Sequence, residues 1–258
     1  IRKEAVEIAS KADVILLTIG ESAEMSGESS SRTDIGIPET QKELLRELKK
    51  TGKPIVLVLF TGRPLVLTEE SELADAMLNV WFPGSMAGYA VSDVLYGKVN
   101  PSAKLPMTFP RSVGQVPIYY NAKNTGRPLS ADHTEKCTFE KFRSNYLDEC
   151  NTPLYPFGYG LSYSQFNYSD LSVSNAKPTG NTSIEASITL KNNGKYDGAE
   201  VVQLYIRDLV GSITRPVKEL KGFQKVYLKT GESKKVTFKI SPEDLKFYNS
   251  QLKFDWEA

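Results

Sequence analysis

The sequence predicts an α/β domain built on a parallel sheet, followed by an antiparallel β-sandwich. In the first part, short and continuously apolar runs alternate with amphipathic helical patterns, which is typical of parallel strands joined by crossover helices. After Phe166, apolar and polar residues alternate with a period of two between turn signals, which is typical of short antiparallel strands. From Pro101 to about Ser162 the periodicity fades, and Pro, Gly, Tyr and Asn become prominent.

The first part is predicted to contain three strands, each an apolar run: 14–19, 54–60 and 74–82. The first strand has no polar alternation, so both of its faces are expected to be covered. Helices are predicted over residues 4–11, 38–50 and 85–95. In the second helix, Leu44, Leu45 and Leu48 form the apolar face, and charged residues occupy the opposite one. In the sandwich, Asn192-Asn193-Gly194 and Gly231 mark two turns.

Composition excludes several classes of function. The 258 residues include 32 basic and 31 acidic side chains, so the net charge of +1 gives no reason to expect nucleic acid as a partner. No apolar run approaches the roughly 18 residues that a membrane span needs. The chain has one histidine and no cluster typical of a metal site, so we expect neither a metal nor a cofactor.

The two cysteines, Cys137 and Cys150, both lie in the irregular stretch. A disulfide between them and a pair of free thiols are both open, since sequence does not give the geometry that a disulfide requires.

A long polar loop, residues 20–37, follows the first predicted strand. Functional loops of parallel sheets lie at the carboxyl ends of strands, which is where this loop is placed. It contains Glu21, Glu24 and Glu28, which from spacing alone are either solvated surface residues or catalytic carboxyl groups. A dinucleotide site is excluded, because Gly20 to Gly27 lacks the G-x-G-x-x-G spacing and no helical pattern follows directly.

Several motifs carry a resemblance to a known family along nearly the whole chain and in the same order. They occupy residues 20–38, 62–65, 81–84, 100–128 and 156–163, and the sandwich adds 198–205 and 220–223. Typical examples are Gly27-Glu28-Ser29-Ser30-Ser31-Arg32 and Pro156-Phe157-Gly158-Tyr159-Gly160. In these motifs the chain resembles the C-terminal portion of glycoside hydrolase family 3, of the bacterial periplasmic β-glucosidase type.

The resemblance implies a domain organisation. The family has a (β/α)8 barrel, then an α/β sandwich, then a fibronectin type III-like domain. Residues 1–115 are therefore expected to be the α/β sandwich without its N-terminal part, and 116–165 a linker that wraps the domains. Residues 166–258 are expected to be the fibronectin type III-like domain without its last strand. The chain is expected to be a fragment or a processed chain, whose partner is the missing N-terminal barrel of the same protein. A periplasmic or secreted location is expected.

The resemblance also implies the chemistry. Retaining glycoside hydrolysis uses two carboxyl groups about 5–5.5 Å apart, one as nucleophile and one as general acid and then base. In the family, the nucleophile is a barrel aspartate and the acid/base is a glutamate on a loop of the second domain. Matching the motif places Glu28 at the acid/base position, with Glu24 in reserve. Glu21 directly follows the strand, so a structural hydrogen-bonding role is expected for it.

Other roles stay open at this point. Arg32 is a candidate substrate-binding residue, although Arg32 and Asp34 are equally suited to orienting the loop through a salt bridge. Trp81, Tyr119 and Tyr120 suit either sugar stacking or packing.

The sequence therefore supports two hypotheses of function. The first is the acid/base part of a retaining, exo-acting β-glucosidase that hydrolyses terminal β-D-glucosyl residues of a β-glucoside or oligosaccharide, with a β-xyloside as the alternative substrate. The second is a non-catalytic structural or carbohydrate-binding module, since the barrel that bears the nucleophile is missing. On either hypothesis, the fragment alone is expected to be inactive.

Overall fold

The computed structural model of the chain describes residues 2–175 and 182–257. These residues form two compact units. The first unit contains the chain up to Ser92 together with Met107–Ile118 and Leu129–Phe157. The second contains Asp93–Pro106, Tyr119–Pro128 and the residues from Gly158 onward. The domain boundaries predicted at 115/116 and 165/166 stay a prediction.

The first unit is built on a parallel sheet, as predicted. Its three strands are β1 (Ile15–Gly20), β2 (Ile55–Phe60) and β3 (Ala76–Asn79), in the order β1-β2-β3. The helices begin with α1 (Arg2–Ser10), α2 (Glu39–Lys49) and α3 (Thr68–Leu73), and continue with α4 (Ala87–Leu95), whose last three residues belong to the second unit, and α5 (Ala131–Lys136). The register pairs Gly20 with Phe60, so β1 and β2 end side by side. Loops that leave these two strands therefore start from the same edge of the sheet.

The core of this unit explains why its elements form. Leu45 and Leu48 of α2 are buried, as the helical pattern predicts. In the central strand β2, Ile55, Leu57 and Leu59 are almost fully buried, which accounts for its continuous apolar run.

The first predicted strand differs from expectation on one face. Ile15 and Ile19 are buried, but Leu16, which points to the other face, is 56% exposed. Alternate side chains of a strand point to opposite faces, and one face of β1 is packed in the part of the chain that the structure describes. The prediction that both faces are covered is therefore wrong at Leu16.

Three further elements differ from the sequence prediction. The strand β3 is shorter than the predicted 74–82, and Trp81 beyond it has the left-handed φ of 52°, which an extended strand does not accommodate. The helices α3 and α5 were not predicted, because six residues are too few for an apolar period to stand out.

Cys137 and Cys150 form a disulfide in the first unit, with their Cα atoms 5.0 Å apart. This separation lies within the usual range for disulfides. The structure thus favours the disulfide over the pair of free thiols.

The second unit contains antiparallel strands, as predicted. The strands of its larger sheets are β4 (Phe166–Val173), β5 (Ile184–Asn192), β6 (Gly198–Ile206), β7 (Glu219–Leu228) and β8 (Ser233–Ile240). One sheet has the order β4-β5-β8 and the other pairs β6 with β7. A short helix α6 (Pro242–Leu245) and the pair β9 (Phe247–Tyr248) and β10 (Phe254–Asp255) follow.

The two sheets share an apolar core. Leu190, Val202 and Leu228 are almost fully buried in it, together with Val226 and Val236. The predicted turns at 192–194 and at Gly231 lie between β5 and β6 and between β7 and β8. Sheets that pack through such alternating side chains form a β-sandwich.

The described residues include no helix that is both long and apolar enough to cross a lipid bilayer.

Candidate active site

The 20–37 loop leaves the carboxyl end of β1 at a glycine that no other residue could replace. Gly20 has φ of 148°, and a Cβ at this position would overlap the backbone of Phe60. The side chain of Gln41 binds both backbone groups of Gly20: the Gly20 N–H donates to Oε1 (2.8 Å), and Nε2 donates to the Gly20 carbonyl (3.1 Å). The starting direction of the loop is therefore fixed.

Glu28 lies at the projecting end of a tight turn within this loop. The Ser30 N–H donates to the Gly27 carbonyl at 3.2 Å, which makes Glu28 and Ser29 the central residues of a β-turn, here named the Glu28 turn (residues 27–30). Gly27 has φ of 131° and Ser29 has φ of 61°. Positive φ at a non-glycine residue is uncommon and often accompanies a functional site. The Glu28 side chain on this turn is exposed.

Glu24 has surroundings that suit a general acid poorly. It lies in the short 3-10 helix Ala23–Met25 and is exposed. Hydrogen bonds from its own backbone N–H and from the Ser22 hydroxyl lower the pKa of Glu24. A general acid that works near neutral pH needs a raised pKa. This direction counts against Glu24 as the acid, and the choice of Glu28 stays a prediction that rests on the motif.

Glu21 is the centre of a buried ion-pair group, here named the Glu21 cluster (Glu21, Arg32 and Arg63). Its side chain is fully buried. Arg32 Nη1 donates to Glu21 Oε1 at 2.9 Å, and Arg63 Nε lies 3.0 Å from the same oxygen without the alignment of a hydrogen bond. The Gly62 N–H donates to Oε2 at 3.1 Å. The structural role predicted for Glu21 is confirmed.

Arg32 uses its guanidinium group inside the loop. Besides the contact with Glu21, its Nη2 donates to the Gly36 carbonyl at 3.0 Å, while the Gly36 N–H donates to Asp34 Oδ1 at 2.8 Å. Arg32 therefore forms the structural salt bridge that the sequence left open, with Glu21 as its partner. Direct binding of substrate by Arg32 stays a prediction.

Arg63 is the residue of the site that the sequence did not reveal. Its Nη2 donates to the carbonyls of Met25 (2.5 Å) and Ser30 (2.9 Å), which lie on either side of the Glu28 turn. The preceding Gly62 allows this approach, because a Cβ there would overlap both Ser26 Oγ and the Phe82 ring. Two signals were available: the position of Arg63 in a loop directly after the second predicted strand, and its place in the 62–65 motif.

An open depression of about 470 Å³ lies beside the Glu28 turn. Arg63 and Phe82 form part of its wall, together with residues 26, 27, 29–31 and 62. Phe82 is 69% exposed, whereas Trp81 packs on Phe109 with ring centroids 5.6 Å apart. The structure therefore brings Phe82 to the loop, while the contacts of Trp81 are those of a packing residue.

The two predicted tyrosines belong to the second unit. Tyr120 packs edge-on against Tyr205, with ring centroids 6.1 Å apart, and Tyr119 is exposed. The packing interpretation therefore holds for Tyr120.

Comparison with known proteins identifies the family. Residues 1–163 match the family described as the Glycosyl hydrolase family 3 C-terminal domain. The chain belongs to glycosyl hydrolase family 3. Residues 200–258 match the Fibronectin type III-like domain, which agrees with the strands of the second unit. The predicted resemblance and fold class are confirmed.

Individual family 3 relatives cover the chain almost completely. A periplasmic beta-glucosidase of Salmonella typhimurium is 52% identical over 254 residues, which are 98% of this chain and 32% of the relative. A beta-xylosidase of Formosa agariphila is 39% identical over 97% of this chain and 33% of the relative.

A crystal structure of a β-glucosidase from Listeria innocua in complex with glucose superposes with a TM-score of 0.93 at 43% identity. The superposition covers 99% of this chain and 35% of that one. The chain thus spans about a third of the length of the family 3 proteins that it matches.

Proposed function

We propose that this chain supplies the general acid/base, Glu28, to a longer retaining, exo-acting β-glucosidase. The observation that carries the proposal is the Glu28 turn: an exposed carboxyl group, between two residues with positive φ, on a loop at the carboxyl end of a parallel strand. The names of the Salmonella and Listeria relatives support β-glucoside hydrolysis, and the match of residues 27–32 to the family motif supports the choice of Glu28.

The proposed reaction has two steps. First, protonated Glu28 gives its proton to the glycosidic oxygen as the bond from that oxygen to C1 breaks, while a carboxylate nucleophile bonds to C1 from the opposite side. Second, the Glu28 carboxylate accepts a proton from water as the water oxygen bonds to C1 and displaces the nucleophile. By the family resemblance, the nucleophile is an aspartate of the barrel, so the second carboxyl group belongs to the longer protein.

A Glu28→Gln variant of the full-length protein tests the proposal. Glutamine cannot donate a proton, so kcat/KM on cellobiose, whose leaving group is poor, should fall by about 10²–10⁴. A 2,4-dinitrophenyl β-glucoside needs no protonation to leave, so its kcat/KM should change much less. Azide should raise turnover of the activated substrate and give a β-glucosyl azide, because it attacks the intermediate without a general base.

Glu24→Gln is the matched control, since it changes a glutamate of the same loop four residues away. It should keep activity on both substrates. Full activity of Glu28→Gln on cellobiose would refute the proposal, and loss of cellobiose activity in Glu24→Gln alone would transfer the role to Glu24.

The finer features of the proposal concern substrate, location and domain limits. The preferred substrate is a terminal β-D-glucosyl group, and the name of the Formosa relative supports a β-xyloside as the alternative. Kinetics with matched nitrophenyl glucosides and xylosides distinguish the two. A periplasmic or secreted location is supported by the name of the Salmonella relative and by the Cys137–Cys150 disulfide, because disulfides persist in oxidising compartments. We keep the domain limits at 1–115, 116–165 and 166–258.

The alternative of a non-catalytic module applies to the chain by itself. Since the chain spans about a third of its relatives, we propose that activity belongs to the longer protein. The isolated chain should not hydrolyse a nitrophenyl β-glucoside, and robust hydrolysis would contradict this.

A further inference from the structure

Arg63 contacts the chain on both sides of the Glu28 turn with one nitrogen atom. Its Nη2 donates to Met25 O at 2.5 Å and to Ser30 O at 2.9 Å. These two carbonyls bracket the four residues of the segment that presents Glu28. Hydrogen bonds from a charged donor are roughly twice as strong as neutral ones, so a single guanidinium fixes where the turn begins and where it ends.

The guanidinium is itself held at the edge of the sheet. Arg63 Nε lies 3.0 Å from Glu21 Oε1, and Glu21 Oε2 accepts the Gly62 N–H at 3.1 Å. Glu21 directly follows β1, and Gly62 lies two residues after β2. Because Gly20 and Phe60 are paired in the sheet, the positions of Glu21 and Arg63 are set by strand register. The turn is therefore connected through Arg63 to the adjacent ends of β1 and β2.

The same carboxylate also holds the far end of the loop. Arg32, beyond the turn, donates to Glu21 Oε1 at 2.9 Å and to Gly36 O at 3.0 Å. The buried Glu21 carboxylate is thus the shared partner of two arginines, whose side chains are only about one-fifth exposed. Only arginine offers several donors in a fixed plane, so lysine at position 63 could not reach Glu21 and both carbonyls together.

We propose that Arg63 is a positioning residue of the hydrolytic reaction, acting through Glu28 without contacting substrate. The inference rests on the proposed function, because it assumes that Glu28 is the acid/base. A general acid must lie within hydrogen-bond distance of the oxygen that it protonates, and a displacement of 1 Å can cost about a hundredfold in rate. Without Arg63, the Ser- and Gly-rich segment 26–31 loses the donor that holds both of its ends.

The test compares Arg63→Gln with the native enzyme, both as full-length protein, on two substrates. On cellobiose, kcat/KM should fall by about a hundredfold, since proton transfer to the leaving group becomes poorly placed. On 2,4-dinitrophenyl β-glucoside, kcat/KM should change by less than about threefold, because that leaving group needs no proton. Arg63→Lys keeps the charge and a single donor nitrogen, so it should recover part of the activity on cellobiose. If Arg63→Gln does not fold, the test uses Arg63→Lys instead. Its loss of kcat/KM on cellobiose should then exceed its loss on 2,4-dinitrophenyl β-glucoside.

A double-mutant cycle with Glu28→Gln gives the sharper readout. If Arg63 acts through Glu28, adding Arg63→Gln to Glu28→Gln should change kcat/KM on cellobiose by less than about twofold, since the interacting group is already gone. Arg111→Gln is the matched control: Arg111 Nε also donates to a backbone carbonyl, that of Thr152 (3.0 Å), but Arg111 does not contact the 20–37 loop through any hydrogen bond or ion pair described here. Any loss in Arg111→Gln should lower kcat/KM on both substrates by the same factor.

The outcomes separate the two proposals. Equal losses on both substrates, or additive losses in the cycle, would show that Arg63 only stabilises the fold and would overturn the inference. No loss in Arg63→Gln would also overturn it. If Glu28→Gln itself keeps full activity on cellobiose, the proposed function is wrong and the inference fails with it. The Glu28→Gln variant alone detects that case.

Discussion

Replacement of Glu21 by glutamine tests how much the Glu21 cluster contributes to the stability of the first unit. The substitution keeps the size of the side chain but removes its charge. Glutamine has one acceptor oxygen, whereas Glu21 uses two: Oε1 faces Arg32 and Arg63, and Oε2 accepts the Gly62 N–H. In either orientation of the amide, its NH2 group faces a donor. Two arginines would then lie in a mostly buried site without a compensating charge.

The expected magnitude follows from the burial of the three side chains. Glu21 is fully buried, and Arg32 and Arg63 are 20% and 22% exposed. Removing one partner of a buried ion pair costs about 3–5 kcal/mol. Because the arginines retain some contact with water, we take the lower end, about 3 kcal/mol. Since about 1.4 kcal/mol is a factor of ten, the local opening equilibrium should rise by roughly a hundredfold.

Amide hydrogen exchange measures this change where it occurs. In the full-length protein, peptides that cover β1 and β2 should lose roughly a hundredfold in protection in Glu21→Gln, because strand amides report the opening free energy of the unit. Glu47→Gln is the control. It breaks an exposed pair with Lys50, so it should cost no more than about 1 kcal/mol. A change of less than about threefold in Glu21→Gln would refute the assignment of a large energy to the cluster.

Two further predictions concern pH and the disulfide. Burial raises the pKa of Glu70, which is 1% exposed, whereas a hydrogen bond from Arg46 lowers the pKa of the adjacent Glu69. Folded Glu70 retains a proton that the unfolded chain releases, so its contribution to stability falls as pH rises from the ordinary glutamate pKa toward the raised one. That of Glu69 is lost as pH falls through the lowered pKa. Urea midpoints measured across this acidic range should decline less with rising pH in Glu70→Gln and less with falling pH in Glu69→Gln, and identical profiles would contradict the assignment. Loss of the Cys137–Cys150 disulfide should lower the free energy of unfolding by about 3 kcal/mol in the chain-entropy model. Unchanged urea midpoints and proteolysis after reduction would contradict that value.

The parts of the fold that follow from short-range patterns were predictable from sequence. Burial of β2 and of one face of α2 gives each element a short-range pattern of apolar residues in the sequence. Both elements therefore lie where they were predicted. The polar stretch 20–37 indicated a long loop after the first strand, and the motif order indicated the family. The position of Glu21 directly after a strand predicted that its side chain would be structural.

The partner of Glu21 was not predictable in the same way. Arg63 lies 38 residues from Met25 and 33 from Ser30, and nothing in the local pattern distinguishes it from an exposed arginine. Its role depends on the register that aligns Gly20 with Phe60, which is a property of the sheet. The exposure of Leu16 was not predictable for a similar reason. The apolar run of β1 shows that its residues are suited to burial, but it does not show what covers each face of the strand.

Arg63 binds the carbonyls of Met25 and Ser30, whereas Glu28 lies between these two residues. The contacts that hold the loop are therefore separate from the residues that set the position of Glu28. One inserted residue between these carbonyls lengthens the chain by at most about 3.6 Å and leaves the strands and the Glu21 cluster untouched. On the proposed function, a change in the length of the loop between its two fixed ends should therefore alter the position of Glu28 at little cost to the stability of the unit.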